Sequence, residues 1–490
     1  MTGGDAQVTA PSAVRRRVAL AVGALLFVVL LAVPEPGGFT PASWRVVAVV
    51  ALMAAWWIGE ALPLPVTALV PLVAFPTLGV GTIGDSAAPY ANPLIFLLLG
   101  GFMLGLAFER TGMHRRIAVA IVHRANSRAD VLVGGFMLAA AGLSIWISNT
   151  ASTAMMLPIA LSVLAIAEPP DRAAGGRDLG PPLLLAIAFG AGIGGMSTLI
   201  GSPPNALLGG YMADAHGMTV GFARWMAVGG PVAALLLVVA WLVLTRMVFR
   251  VDGIDLAAAR RQFEREHHGL GPVSTAERRV LMVGVAAIAG WFARPVLAAL
   301  WPGLGLSDAG IAIAAGLALF LVPAGRGDGT ALLEWSAMRD VNWGVLLLVG
   351  GGLSLGAAID DSGLAGAIGA ILAAHAPSSP WLVAMAAAVV AMMISHVVAS
   401  NTATAAALVP LLNALAVRLD QPPMQIAMPA VLALSCAFML PVATPPNAIV
   451  YGTGRVSVGQ MLRAGAPIAV AGIVIIGAVG YPLAALVFGG

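Results

Sequence analysis

The chain has no lysine and a single cysteine, and only 10% of its 490 residues are charged. A soluble globular domain carries roughly a quarter charged residues. With 60% hydrophobic residues and a mean hydropathy of +0.95, this composition excludes a soluble fold and leaves little room for a separate soluble domain. All 25 basic residues are arginines, mostly in loops between apolar runs, so the formal charge of +3 and the pI near 9.6 follow a membrane topology bias and do not indicate nucleic acid. Cys436 has no partner for an intrachain disulfide, and its apolar surroundings suit a buried, inert thiol. No Gly-x-x-x-x-Gly-Lys-[Ser/Thr] sequence is present, so no nucleotide site of a primary pump is recognisable, and the absence of His-Glu-x-x-His excludes that type of zinc protease. Asp360-Asp361 falls in an expected outer loop, not where an intramembrane aspartyl protease needs its carboxylates. The chain therefore reads as no enzyme, with no cofactor. Arg15-Arg16-Arg17 precedes an apolar run without a convincing small-residue cleavage site, which fits a first membrane helix better than a signal peptide.

What is present is a series of apolar runs of about 20 residues, the length that spans a bilayer. Candidate spans lie near 17–33, 43–60, 62–78, 91–108, 181–212, 227–249, 279–301, 306–323, 341–358, 425–455 and 464–487, eleven in all. Two further runs, 131–167 and 381–417, are interrupted by the same tripeptide, Ser148-Asn149-Thr150 and Ser400-Asn401-Thr402. Arginine placement decides how these two behave. With Arg15-Arg16-Arg17 inside, the arginine-rich segments 109–128 and 250–279 both fall inside only if 131–167 enters and leaves on one face. A second hairpin at 381–417 then opens outside and puts Arg455 and Arg463 inside. The expected fold is an all-α polytopic membrane protein of about eleven transmembrane helices and two re-entrant hairpins, with a cytoplasmic N-terminus.

The halves match. The glycine run 100–107 resembles 351–358 at an offset of 251, and the Ser-Asn-Thr copies are 252 apart. An odd number of crossings separates them, which makes this an inverted-topology repeat. The expected organisation is an N-terminal segment with the first helix (1–42), a first repeat (43–249), a cytoplasmic linker (250–278) and a second repeat (279–490). The segment 112–126 reads as an amphipathic helix at the membrane interface.

Each tripeptide has a companion break with two prolines, Gly201-Ser202-Pro203-Pro204-Asn205 and Ala443-Thr444-Pro445-Pro446-Asn447. Non-helical backbone at membrane depth survives only where protein or a water-filled cavity covers it, and duplicated breaks point to a transporter's binding site. Restarted helices offer free N–H groups to an anion. Thr150, Thr402, Ser202 and Thr444 add hydroxyl donors there, while Pro203 and Pro445 keep the helix from closing over the gap. Asn149 and Asn401 offer amide donors to an anion and carbonyl oxygens to a cation. A small-anion carrier is the leading reading. An anion channel is the remote alternative, because it needs a pore-lining polar ring rather than paired breaks.

The segment 56–69 (Trp-Trp-Ile-Gly-Glu-Ala-Leu-Pro-Leu-Pro-Val-Thr-Ala-Leu) and the segment 436–452 resemble the two signatures of the divalent anion/sodium symporters, and both Ser-Asn-Thr motifs fit as well. The likeness runs from about residue 43 to the end. It implies a homodimer with scaffold and transport subdomains that carries dicarboxylates, citrate or sulfate by an elevator motion. It also implies a Na+ site at Ser144, Ser148, Asn149 and Gly201, and a second site at the positions of His396, Ala399, Asn401 and Ala443. His396 departs from the family's usual threonine. An imidazolium there would supply the charge of Na+ and favour proton-linked or Na+-independent exchange of dicarboxylates. A neutral imidazole would be a satisfied core histidine or a weak cation ligand. The expected function is secondary transport of succinate-, malate- or fumarate-like dicarboxylates across the plasma membrane, with Na+ or H+ as the coupling ion.

Overall fold

A computed structural model of the chain describes residues 13–124, 128–167, 178–251, 269–301, 303, 305–325, 327, 329–398 and 400–489. Among the described residues the regular structure is helical, apart from one isolated bridge between Pro323 and Ala331. Most of the expected linker 250–278 lies outside them.

Helices α1 (Ala13–Ala32) and α2 (Pro41–Ile58) pack against each other. Thr40 starts α2 with a reciprocal capping box to Ser43, and Pro41 fits the first turn, where no N–H partner is needed. The run 62–78, expected as one span, is two short helices, α3 (Leu64–Thr67) and α4 (Val70–Thr77). Pro65 and Pro71 each sit in a first turn, so the prolines favour two starts over one continuous rod. A short helix α5 (Ile83–Ala87) follows.

The first repeat runs through α6 (Pro93–Thr111), α7 (Met113–Arg124), α8 (Ala129–Ser144), α9 (Asn149–Ala167), α10 (Gly180–Gly195), α11 (Pro203–His216) and α12 (Phe222–Leu242). Helices α13 (Thr275–Leu300) and α14 (Asp308–Leu321) come next. The second repeat has the same succession: α15 (Trp343–Asp361), α16 (Leu364–Ala373), α17 (Pro380–Val397), α18 (Asn401–Arg418), α19 (Pro423–Leu434), α20 (Pro445–Gly452) and α21 (Val458–Ile475). The closing helix is α22 (Tyr481–Phe488). A left-handed glycine turns each long glycine-run helix into its short neighbour: Gly112 (φ +80°) between α6 and α7, Gly363 (φ +78°) between α15 and α16. The succession of helices in 93–242 thus recurs in 343–475.

Among the described residues, seven helical stretches are long and apolar enough to cross a bilayer: Pro41–Ile58, Ile83–Thr111, Phe222–Val248, Thr275–Leu300, Trp343–Asp361, Pro380–Val397 and Val458–Phe488. Several other expected spans are shorter because they are broken. The runs 181–212 and 425–455 are each two half-helices separated by the proline-pair break. The chain is a polytopic helical membrane protein.

Contacts across the chain constrain how the interrupted runs enter the bilayer. Arg246, just after α12, bonds Asp130 at the start of α8 at 2.7 Å. Between them lie α8–α9, the broken helix α10–α11 and α12. The last two supply two crossings, so α8–α9 adds none and turns back at its tip. At the end of α18, Asn413 bonds Tyr211, which bonds Asp360 before the start of α17. The pair α17–α18 thus also begins and ends on one side.

Candidate functional site

The two tips and the two proline-pair breaks converge because α20 of the second repeat packs against α9 and α10 of the first. In the first break, Asn205 is fully buried in the first turn of α11 and reaches back across the gap. Its Nδ2 donates to the carbonyls of Gly195 (3.1 Å) and Thr198 (2.7 Å). Asn447 repeats this in the second break, donating to Ala437 and Leu440 at 3.0 Å each. Donors and acceptors alike are 242 residues apart (205 and 447, 195 and 437, 198 and 440). Each asparagine satisfies carbonyls freed by the break, which would otherwise be costly at membrane depth.

The tips are capped by their serines. Ser148 Oγ accepts from the Ala151 N–H (3.2 Å), and Ser400 Oγ accepts from the Ala403 N–H (3.2 Å). In the first copy Thr198 ties break to tip, donating to the Ile145 carbonyl (2.9 Å) and accepting from the Gly201 N–H (3.0 Å).

Around Asn149 the oxygens crowd. Its side-chain amide contacts the Ser144 hydroxyl, and the amide edge facing the break lies 3.2 Å from both the Ala191 and Gly201 carbonyls. Acceptors facing acceptors repel unless the amide turns its nitrogen inward or a cation lies among them. Glycine makes this approach possible. A Cβ on Gly201 would lie 2.7 Å from the Gly195 carbonyl and 2.9 Å from the Ser144 carbonyl, and one on Gly195 would strike the Asn149 amide. Ser144, Asn149 and Gly201, expected together from sequence, are together here. Ser148 spends its hydroxyl as the cap. With its nitrogen inward the Asn149 amide donates to both carbonyls; with its oxygen inward the cluster is an all-oxygen set of the kind that suits a hard cation such as Na+.

The second tip is built differently from what spacing suggests. Ser395, not His396, faces Asn401. Its Oγ lies 2.7 Å from Asn401 Oδ1 and 2.9 Å from the Leu434 carbonyl. His396 is buried, with Nδ1 2.8 Å from the Met392 carbonyl and Nε2 accepting from the Met439 N–H at 3.4 Å. Both ring nitrogens are used by one neutral tautomer. Ala443 is buried in the second break, and Ala399 lies outside the described residues. Counting back from each asparagine pairs Ser144 with His396. Counted from the glycine run, whose copies are 251 apart, the match to Ser144 is Ser395.

Between the tips lies a cavity of about 20 Å³, lined by Asn149, Asn401, Ser435, Thr444 and Asn447 with Ala188, Gly192 and Phe438. That is room for about one water. Of the expected anion-binding residues, Asn149, Asn401 and Thr444 line it. Ser202 and Thr402 are buried outside its lining, Pro203 is half-buried, and Thr150 and Pro445 are exposed. Asn447, Ser435 and Gly192 line it as well and are not among the expected anion-binding residues. Asn447 closes the second proline-pair motif, which is the sequence signal that finds it.

Solved structures with the same fold include the YdaH transporter of Alcanivorax borkumensis (TM-score 0.56, 17% identity, 90% of this chain and 98% of that one). Another is MtrF of Neisseria gonorrhoeae, described among antimetabolite efflux pumps (TM-score 0.58, 13% identity, 97% and 95%). Among characterised proteins, the chain is 35% identical over 482 residues to the sodium-dependent dicarboxylate transporter SdcS of Staphylococcus saprophyticus, covering 96% of this chain and 92% of that protein. It is 34% identical over 485 residues to SdcS of Staphylococcus aureus strain MRSA252, covering 98% and 93%. The family model described as the sodium:sulfate symporter transmembrane region matches residues 14–487, and with relatives of this identity and coverage the chain belongs to that family.

Proposed function

We propose that this protein is a secondary transporter of small dicarboxylates, coupled to Na+. The observation that carries this reading is that Asn149 and Asn401, one from each inverted repeat, line a single cavity with Thr444 and Asn447. Asn149, Asn401 and Thr444, at three helix restarts, offer a dicarboxylate hydrogen-bond donors without a fixed counter-charge, so the anion is held and still released. The relatives over nearly the whole chain are named sodium-dependent dicarboxylate transporters, and the oxygens around Ser144, Asn149 and Gly201 supply a matching cation cradle. Asn401 with Ser395 and the freed carbonyls of the second break forms the candidate second cation position. The cavity admits about one water, so binding a dicarboxylate requires the tips to part. Relative motion of the site-bearing helices against the rest, as an elevator within a homodimer in the plasma membrane with the N-terminus inside, completes the reading.

Purified protein in proteoliposomes tests it. Labelled succinate is expected to accumulate with an inward Na+ gradient and not with K+ or choline. Thermal stabilisation by succinate is expected to need Na+ as well, because ligand binding to the folded state raises stability by about 2.7 kcal/mol at a hundredfold excess over Kd. Uptake unaffected by Na+ but driven by a proton gradient would overturn the coupling assignment. Sulfate stabilising where succinate does not would overturn the substrate class.

A further inference from the structure

The ends of α11 and α18 remote from the tips meet the end of α15 at a second cavity, of about 490 Å³. Tyr211, Asp214, His216, Asp360, Asp361 and Asn413 line it, with no arginine among its walls. Four of these side chains form one chain of hydrogen bonds. His216 Nε2 lies 2.6 Å from Asn413 Oδ1, Asn413 Nδ2 donates to the Tyr211 hydroxyl at 2.9 Å, and that hydroxyl donates to Asp360 Oδ2 at 2.6 Å. The direction is forced. An ionised carboxylate only accepts, so Tyr211 donates to Asp360. The tyrosine oxygen then accepts from the Asn413 amide nitrogen, and the amide oxygen is left for an N–H of His216. Tyr211 and Asn413 are buried, and satisfied buried networks of this kind specify one arrangement of the elements they join.

The elements joined are the informative part. Helix α11 starts at the first proline-pair break, and α18 starts at Asn401 in the second tip. The chain ties these two site-bearing helices, one from each repeat, to each other through Asn413 and then to α15, which contributes no residue to the site. The bond that crosses to α15 is the short, charge-assisted one, the stronger class of hydrogen bond.

We propose that His216, Asn413, Tyr211 and Asp360 form a latch that clamps the two site-bearing helices to α15 and is released when the site moves. Tyr211 and Asp360 are its positioning residues. This rests on the reading that the site moves during transport, but the latch itself has a readout that needs no substrate.

Hydrogen exchange followed by mass spectrometry on the full-length protein is that readout. Tyr211→Phe and Asp360→Ala are expected to speed exchange about tenfold in 205–216, 353–361 and 405–418, the worth of one charge-assisted bond. Exchange in α2 and α13 should stay as in wild type. Asp360→Asn keeps an oxygen that accepts from Tyr211 and should remain close to wild type. The double variant Tyr211→Phe/Asp360→Ala should exchange no faster than Tyr211→Phe alone, since that single change already removes the contact to Asp360. Wild-type exchange in Tyr211→Phe, Asp360→Asn exchanging as fast as Asp360→Ala, or acceleration spread over all helices would each overturn the latch. Na+-dependent stabilisation by succinate, measured on the same samples, should be unchanged by Tyr211→Phe while its uptake turnover differs from wild type. Failure of wild type to show that stabilisation would count against the transport reading alone, with the exchange pattern still deciding the latch.

Discussion

At the residue scale, the two halves solve one problem with different side chains. Each tip has to be tied to its companion break. In the first copy Thr198 does this from the break, through its hydroxyl to Ile145 and Gly201. The matching position in the second break is Leu440, which has no hydroxyl, and there the tie comes from the other side, as His396 accepts from the Met439 N–H. Protonating His396 would set a ring N–H against that backbone N–H, so the arrangement favours a neutral, structural imidazole. The sequence showed that a histidine stood in an unusual place. It did not show the direction of its ring, which depends on where the break's backbone passes. Two substitutions separate the roles. His396→Leu should lower stability by about 1–3 kcal/mol, since a buried N–H loses its acceptor, and leave the pH profile of uptake between 5.5 and 8 as in wild type. Ser395→Ala should instead raise the Na+ concentration for half-maximal uptake about tenfold, on the order of one hydrogen bond to a charged group or its ligand, with a smaller change in melting temperature. A pH profile that flattens in His396→Leu would restore the proton-linked alternative.

At the element scale, the breaks were legible because their cost is local. A proline pair after Gly-Ser or Ala-Thr stops a helix whatever surrounds it, and a Ser-Asn-Thr cap restarts one. The split between α3 and α4 was less legible, because Pro65 and Pro71 sit in uniformly apolar sequence where a kinked single span reads equally well. The meeting of α20 with α9 and α10 was not legible at all, since it joins helices that lie far apart in sequence, in different halves of the chain. Glycines carry much of that packing. Gly190 brings α10 against the backbone of α8, where a Cβ would lie 2.5 Å from the Met137 carbonyl, and Gly194 one turn on does the same at Ala141. Close approach of this kind is how helices associate in lipid. At the break, Gly195 and Gly201 border the proposed cation position instead, which gives an internal contrast. Gly201→Ala places its Cβ among carbonyls at 2.7 and 2.9 Å, and should abolish Na+-dependent stabilisation by succinate. Gly192→Ala lines the same region but meets nothing nearer than 3.6 Å, and should retain most of it. Thermal shift with and without Na+ reads both. Equal losses would mean that the region tolerates no Cβ anywhere and that the cradle is not special.

At the scale of the whole molecule, sidedness was argued from arginine counting, and the polar contacts respect it. Arg116 in α7 pairs with Glu277 at the start of α13 at 2.8 Å, and Arg110 pairs with Asp340 at 3.0 Å, all in segments read as inside. Asn92 bonds Asp214 at 2.9 Å, Asp308 accepts from the Phe222 N–H at 2.7 Å, and Thr40 bonds the Ser362 carbonyl at 3.2 Å, all in segments read as outside. If the first interrupted run crossed the bilayer, most of these pairs would be separated by roughly 30 Å of hydrocarbon; the second run is constrained by the contacts that join Asn413 through Tyr211 to Asp360. The contacts settle which ends share a side, but not which side faces the cytoplasm. Cysteine labelling does, and this chain is suited to it. Its one native thiol, Cys436, is fully buried, so wild type should give little background with a membrane-impermeant maleimide. Ser378→Cys, in the exposed turn before α17, should label in intact cells. Gly459→Cys, at the exposed start of α21, should label only after permeabilisation. One crossing, α19–α20, separates these positions if α17–α18 is a hairpin, and two separate them if it spans. Labelling of both from outside would therefore overturn the second hairpin, and labelling of Gly459→Cys alone would reverse the orientation of the whole protein while keeping the hairpin.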